Sequence, residues 1–178
     1  MLWRVTIQRD DPNKPKGFSP QQQQAQGGDA VFWLNQDSNT THQPVSTDTG
    51  AKWSVPPITG GNSSTQLDLD VPGVVNYKCA LHDDETGSIV IANAVPIANG
   101  AEPLFPSTSI SAGQSVSWSN SDSCAHEPTP DSGNAWFTAP IESGDISACV
   151  AFGTAGSFPY HCKLHPDNAN EKGTITVA

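Results

Sequence analysis

Apolar and polar residues alternate in short runs along the whole chain, and no long apolar stripe recurs at helical spacing. Residues 3–8 alternate as a half-buried strand does, and residues 65–71 do so again, with Leu67, Leu69 and Val71 on one face. Residues 30–34 and 115–118 follow glycine turns and place Trp33 and Trp118 inward. Residues 73–77 and 156–160 lead directly into Cys79 and Cys162. Gly87 and Gly173 then open terminal strands over 88–91 and 174–177. The glutamine run 21–24 reads as a connecting strand or an exposed loop. Six to eight short antiparallel strands in each half predict an all-β protein built of Greek-key β-sandwiches.

The halves repeat. Trp33 recurs as Trp118, Trp53 as Trp136, His42 as His126, Cys79 as Cys162 and His82 as His165, at offsets of 83 to 85 positions. Both leading histidines open a His-x-Pro triplet, His42-Gln43-Pro44 and His126-Glu127-Pro128. So many anchors in one register mark a duplication. An Ala-, Asn- and Pro-rich stretch over 93–104 follows the first terminal strand. The expected domains are therefore two in tandem, 1–94 and 95–178.

Composition agrees with many turns. Of 178 residues, 15 are glycine and 15 proline, and only 15% are charged. The formal net charge of −10 repels a phosphate backbone, so nucleic acid is not an expected partner. An acidic surface can steer a redox partner protein with a basic docking face, or it can simply keep the chain soluble. No apolar stretch reaches the length of a transmembrane segment, and no signal peptide opens the chain.

The chemistry concentrates in two loops, Cys79-Ala80-Leu81-His82 and Cys162-Lys163-Leu164-His165, each paired with the distant histidine upstream. One thiolate and two imidazoles from a strand and a tight loop suit a type 1 copper ion. Soft sulfur favours Cu(I), and imidazole serves both oxidation states. A zinc finger needs a fourth Cys or His per site, which neither repeated set supplies. His161 has no repeat mate, because Lys78 holds that place, and on a strand it points away from Cys162; it reads as structural or surface. Cys124 and Cys149 are left over. A disulfide between them is the economical reading and implies an oxidising compartment; two unpaired thiols are the alternative.

At these residues the chain resembles the cupredoxins, the small blue copper proteins, over nearly the whole of each half. The resemblance rests on residues 28–33 (Gly-Asp-Ala-Val-Phe-Trp), on Asn35-x-Asp37 before His42, and above all on Cys79-x-x-His82-x-x-Glu85-x-Gly87. It implies His42, Cys79 and His82 in one site and His126, Cys162 and His165 in the other as equatorial ligands, with two Cu per chain. The chain departs from the family at the axial position. Its only methionine is Met1, and Glu85 and Glu171 each stand two residues before the loop glycine, where the family places Met. Both glutamates are candidate axial ligands, a hard donor that stabilises Cu(II) and shifts the colour from blue towards green or red. The alternative leaves them as solvated loop residues. The expected function is one-electron transfer between proteins rather than catalysis, in the periplasm or outside the cell. The rivals are a redox enzyme acting on a small molecule such as nitric oxide or superoxide at an open copper site, and copper storage or delivery.

Overall fold

The computed structural model describes residues 1–48, 53–133 and 136–178. The described residues form strands and turns with no helix among them, hence none long and apolar enough to cross a membrane. The chain divides into two compact units, Met1–Ile91 and Ala92–Ala178. The division falls three positions before the boundary read from the sequence.

In the first unit the strands are β1 (Leu2–Gln8), β2 (Gly17–Ser19), β3 (Gln22–Gln26), β4 (Asp29–Asn35), β5 (Pro44–Ser46), β6 (Leu67–Leu69), β7 (Gly73–Cys79) and residues 82–91 of β8 (His82–Ile97). One sheet has the order β2-β1-β4-β6; in the other, β5, β7 and β8 pair in that order and β3 also pairs β8. Strands β1 and β4 run parallel, with Val5 opposite Trp33. The chain passes repeatedly from one sheet to the other, so neighbours in sequence often do not pair, as in a Greek key. Alternation decides what lies between the sheets. Val5, Ile7, Val31 and Trp33 come from one sheet and Tyr77, Cys79, Ile89 and Ile91 from the other, all buried in one cluster.

The second unit repeats the plan with residues 92–97 of β8, β9 (Thr108–Ile110), β10 (Ser115–Asn120), β11 (Pro128–Pro130), β12 (Val150–Ala151), β13 (Gly156–Cys162) and β14 (Lys172–Val177). Its sheets are β8-β10-β12 and β11-β13-β14-β9. The parallel pair recurs, with Val95 of β8 opposite Trp118 of β10. Val95, Ile97, Val116, Trp118, Tyr160, Cys162 and Ile175 fill the core.

Two local expectations are refined. Strand β6 ends at Leu69, and Val71, beyond its end, is 74% exposed rather than on the buried face. The glutamine run enters β3, where Gln23 and Gln26 are buried and Gln22 and Gln24 face solvent. Alternation has settled that run as a strand even though its side chains are polar.

Candidate metal centres

Register brings each distant histidine to its cysteine. Pro44 of β5 lies opposite Cys79 of β7, and Pro128 of β11 lies opposite Cys162 of β13. Two residues before each proline the histidine points to the same buried side, because side chains alternate along a strand. His42 and Ile58 exchange both backbone hydrogen bonds, at 3.1 and 2.7 Å, and His126 and Ile141 do the same at 3.1 and 2.8 Å. The backbone N–H of Gln43 donates to Cys79 Sγ at 3.3 Å, and that of Glu127 to Cys162 Sγ at 3.4 Å.

The loop after the cysteine supplies the remaining donors. In the first unit Cys79 Sγ lies 3.8 Å from His42 Nδ1 and 3.4 Å from His82 Nδ1. Glu85 Oε2 lies 2.8 Å from His42 Nδ1 and 3.5 Å from His82 Nδ1. In the second unit Cys162 Sγ is 3.8 Å from His126 Nδ1 and 3.5 Å from His165 Nδ1. Glu171 Oε2 is 3.1 Å from His126 Nδ1 and 2.9 Å from His165 Nδ1. In each unit one sulfur, two Nδ1 and one carboxylate oxygen lie within 4.8 Å of one another. All eight residues singled out in the sequence are thus brought together in two groups of four, and both glutamates turn inward.

These groups fit a small ion. Bonds of about 2.0 Å to nitrogen and 2.3 Å to sulfur, at angles between tetrahedral and trigonal, separate the two donors by roughly 3.5–3.7 Å. The observed sulfur–nitrogen separations are 3.4–3.8 Å. The cysteine, the upstream histidine and the glutamate are buried, while the loop histidine is partly exposed, with 21% of the His82 side chain and 38% of the His165 side chain accessible.

A second layer of side chains holds the first. Asp37 Oδ2 meets His42 Nε2 at 2.8 Å, and Asp122 Oδ2 meets His126 Nε2 at 3.0 Å. A carboxylate on the far nitrogen fixes the ring and makes it a better donor at Nδ1. Each aspartate sits in a turn braced by an asparagine. Asn35 Nδ2 donates to the carbonyls of Thr40 and Ile58, and its Oδ1 accepts the Asp37 N–H. Asn120 repeats this with Cys124, Ile141 and Asp122. Behind the glutamates stand Arg9, whose Nη1 donates to Glu85 Oε1 at 3.0 Å, and Asn168, whose Nδ2 donates to Glu171 Oε1 at 2.7 Å.

Protonation follows these contacts. Burial opposes a charged His42, but Cys79, Asp37 and Glu85 around it prevail and raise it to about 9. Burial likewise opposes the Cys79 thiolate, and the His42 imidazole with the N–H groups of Gln43 and Leu81 overcomes it, so the thiol is shifted down. Burial pushes the Cys162 thiol up. Asp37 is held below the usual range, against burial, by the N–H groups of Arg9 and Asp10 and by His42. Glu171 is held down, against burial, by Cys162, His165, His126 and Asn168.

Sequence reasoning missed the roles of Asp37, Asp122, Arg9 and Asn168. The two aspartates carried a signal, since Asn-x-Asp precedes the histidine in both halves. Arg9 carried none, being 76 positions from Glu85 and without a counterpart in the repeat. His161 is partly exposed on β13, with Nδ1 at 2.6 Å from Asp131 Oδ1, and takes no part in the donor group.

The expected Cys124–Cys149 disulfide is not formed, and all four cysteines are thiols. The carbonyl of Cys124 is tied to Asn120 at one end of β10. Cys149 precedes Val150, which pairs with Val116 near the other end. The two cysteines stand on different segments, Cys124 in the turn after β10 and Cys149 immediately before β12. The argument from a disulfide to an oxidising compartment falls with the bond.

No protein-family model matches the chain, and no curated protein matches it. Among solved structures it is similar to a purple cupredoxin from Nitrosopumilus maritimus, at 24% identity and a TM-score of 0.44, over 50% of this chain and 98% of that one. It is similar to a mutant of amicyanin in the Cu(I) form, at 19% identity and a TM-score of 0.41, over 51% of this chain and 81% of that one. A reduced amicyanin mutant aligns at 18% identity and a TM-score of 0.44, over the same shares.

Proposed function

We propose that each unit is a cupredoxin holding one mononuclear copper, and that the chain is a one-electron carrier with two such centres. The observation that carries this reading is the convergence, twice, of one buried thiol, two imidazole Nδ1 atoms and one carboxylate. When bound, copper supplies a one-electron couple in a site of this softness. The protein's own part is to hold the donors still. Cys79 and His42 are fixed by two strands in register, Asp37 fixes the far side of the ring, and burial keeps water from the sulfur. The exposed edges of His82 and His165 are the route to the surface. Leu81 and Leu164, beside them, are 51% and 44% exposed and offer an apolar contact to a partner.

Glu85 and Glu171 are part of the proposal as axial donors, with a colour shifted away from simple blue. So is a partner with a basic docking face, which the net charge of −10 favours. The family resemblance alone supports a periplasmic or extracellular setting. Among the described residues no further cluster of histidines, cysteines or carboxylates is arranged for another metal centre, so neither group has the neighbours that a multinuclear oxygen-reducing site needs. Optical and electron paramagnetic resonance spectra of the copper-loaded chain test the reading. The expected result is two copper ions per chain and an intense thiolate-to-copper band in the visible; a colourless, redox-inert product sinks it.

A further inference from the structure

The two donor groups match in most contacts but differ behind the carboxylate. In both, an N–H reaches the sulfur, at 3.3 and 3.4 Å, and an aspartate backs the buried imidazole, at 2.8 and 3.0 Å. In the first unit the outer oxygen of the glutamate, Glu85 Oε1, accepts from the guanidinium of Arg9 at 3.0 Å. In the second the outer oxygen, Glu171 Oε1, accepts from the neutral amide of Asn168 at 2.7 Å. A full positive charge thus stands one carboxylate away from the first metal position, and only a dipole stands at the second.

The other charges nearby do not cancel this difference. Arg9 Nη1 also donates to Asp84 Oδ1 at 2.9 Å, but the Asp84 side chain is 62% exposed, whereas that of Glu85 is 1% exposed. Water and salt screen the outer pair more than the inner one. In the second unit Lys163 pairs with Glu127 Oε1 at 2.6 Å, and its side chain is 62% exposed.

We infer that the two centres are not redox equivalents: Arg9 sets the first at a higher reduction potential than the second. The inference rests on the copper reading above. The guanidinium draws electron density from Glu85 and adds positive charge beside the ion, and both effects favour Cu(I) over Cu(II). Glu171, hydrogen-bonded only to a neutral amide at its outer oxygen, remains the stronger donor and favours Cu(II). When one electron is supplied per chain, it rests at equilibrium on the first centre while the second stays oxidised. Arg9 and Asn168 are tuning residues that act through the glutamates, and they give a duplicated protein one high-potential and one low-potential site.

A spectroelectrochemical titration of the copper-loaded full chain tests this, alongside Cys162→Ser and Cys79→Ser variants that each retain one thiolate centre. The preference for Cu(I) over Cu(II) should be about tenfold or more greater at the first centre, which is about 59 mV for a one-electron couple. Arg9→Gln should lower the first midpoint by a comparable amount and leave the second where it was, while Arg9→Lys keeps most of the original value. A merely structural Arg9 gives no such rescue. Asn168→Lys provides the converse test, since a cation placed beside Glu171 should raise the second midpoint, and it carries the test alone if Arg9→Gln does not fold. Coincident midpoints, or midpoints that ignore both substitutions, overturn the inference and leave the copper reading standing. Failure of either single-thiolate variant to give a thiolate-to-copper band overturns both.

Discussion

Asp37 and His42 meet inside the first unit with Oδ2 2.8 Å from Nε2, both side chains 1% exposed or less. The contact leaves Nδ1 as the nitrogen that faces Cys79 and Glu85. Asp37 also accepts the backbone N–H groups of Arg9 and Asp10. One carboxylate therefore orients the ring toward Cys79 and Glu85 and closes the loop after β1.

Removing that carboxylate has two separable effects. Asp37→Ala leaves part-buried N–H groups unpaired, which costs about 1–3 kcal/mol. It also releases the ring, and loss of such an outer partner typically lowers metal affinity about 10–100-fold. Denaturant unfolding of the metal-free chain reads the first effect, and competitive metal titration of the first site reads the second. Unchanged affinity would show that Asp37 serves the loop alone.

Titration of the metal-free chain gives a second prediction. His42 is raised from 6.5 to about 9, so its contribution to stability is fully present below about pH 6.5 and is lost as pH rises through about 9. The downward shift of Cys79 acts in the opposite sense on the alkaline side and offsets part of that loss. Asp37 and Glu171 are shifted down from 3.8 and 4.5, so their contributions are present above those values and disappear as pH falls through the lowered ones. The steep loss of stability is therefore expected on the acid side, below about pH 4. Imidazole resonances followed by nuclear magnetic resonance should show His42 still protonated near neutrality, with Asp37→Asn moving its midpoint down towards 6.5.

Metal loading must displace those protons. A ligating imidazole is neutral and a ligating cysteine is a thiolate, so binding at the first site should release the proton that His42 holds up to about pH 9. Calorimetry in buffers of different ionisation enthalpy counts the protons. A count of zero near neutrality would remove His42 from the ligand set.

The loop glycines make room for a ring. A Cβ at Gly87 would lie 2.5 Å from Tyr77 Cζ, and one at Gly173 would lie 2.8 Å from Tyr160 Cζ and from the Phe105 carbonyl oxygen. Gly87→Ala and Gly173→Ala should each destabilise their own unit by about 1–3 kcal/mol, in the range of overpacking a core. Urea midpoints equal to those of the parent protein would contradict this packing.

Thiol chemistry checks the cysteine assignment. Without reductant, four thiols per chain should react in denaturant. In the folded metal-free protein the exposed Cys124 should react ahead of the buried Cys79 and Cys162. A count of two in denaturant would restore the disulfide.

Much of this arrangement was legible before any coordinates. Alternation gave the sandwich because β4 and its counterpart β10 bury Trp33 and Trp118 at the same phase. The duplication turned four otherwise ambiguous histidines into two pairs, and the shared spacing to the loop glycine marked Glu85 and Glu171. What stayed hidden depends on distance in sequence. Arg9 reaches Glu85 only through the fold, and nothing near it signals that end point. Cys124 and Cys149 looked like a pair because they were a remainder, and counting cysteines says nothing of where each stands in the fold. Val71 kept the alternating phase past the end of its strand, where pairing no longer enforces it.

Glu85 stands three positions after His82 but Glu171 six after His165, yet each carboxylate ends within 3.5 Å of its loop histidine. The strands and the braced asparagine turns fix where the donors converge, so the stretch between histidine and glutamate can change length without displacing them. That stretch is exposed, at residues 83 and 84 in the first unit and 166–170 in the second. Lengthening or redecorating it reshapes the surface around a donor group while the donors stay in place.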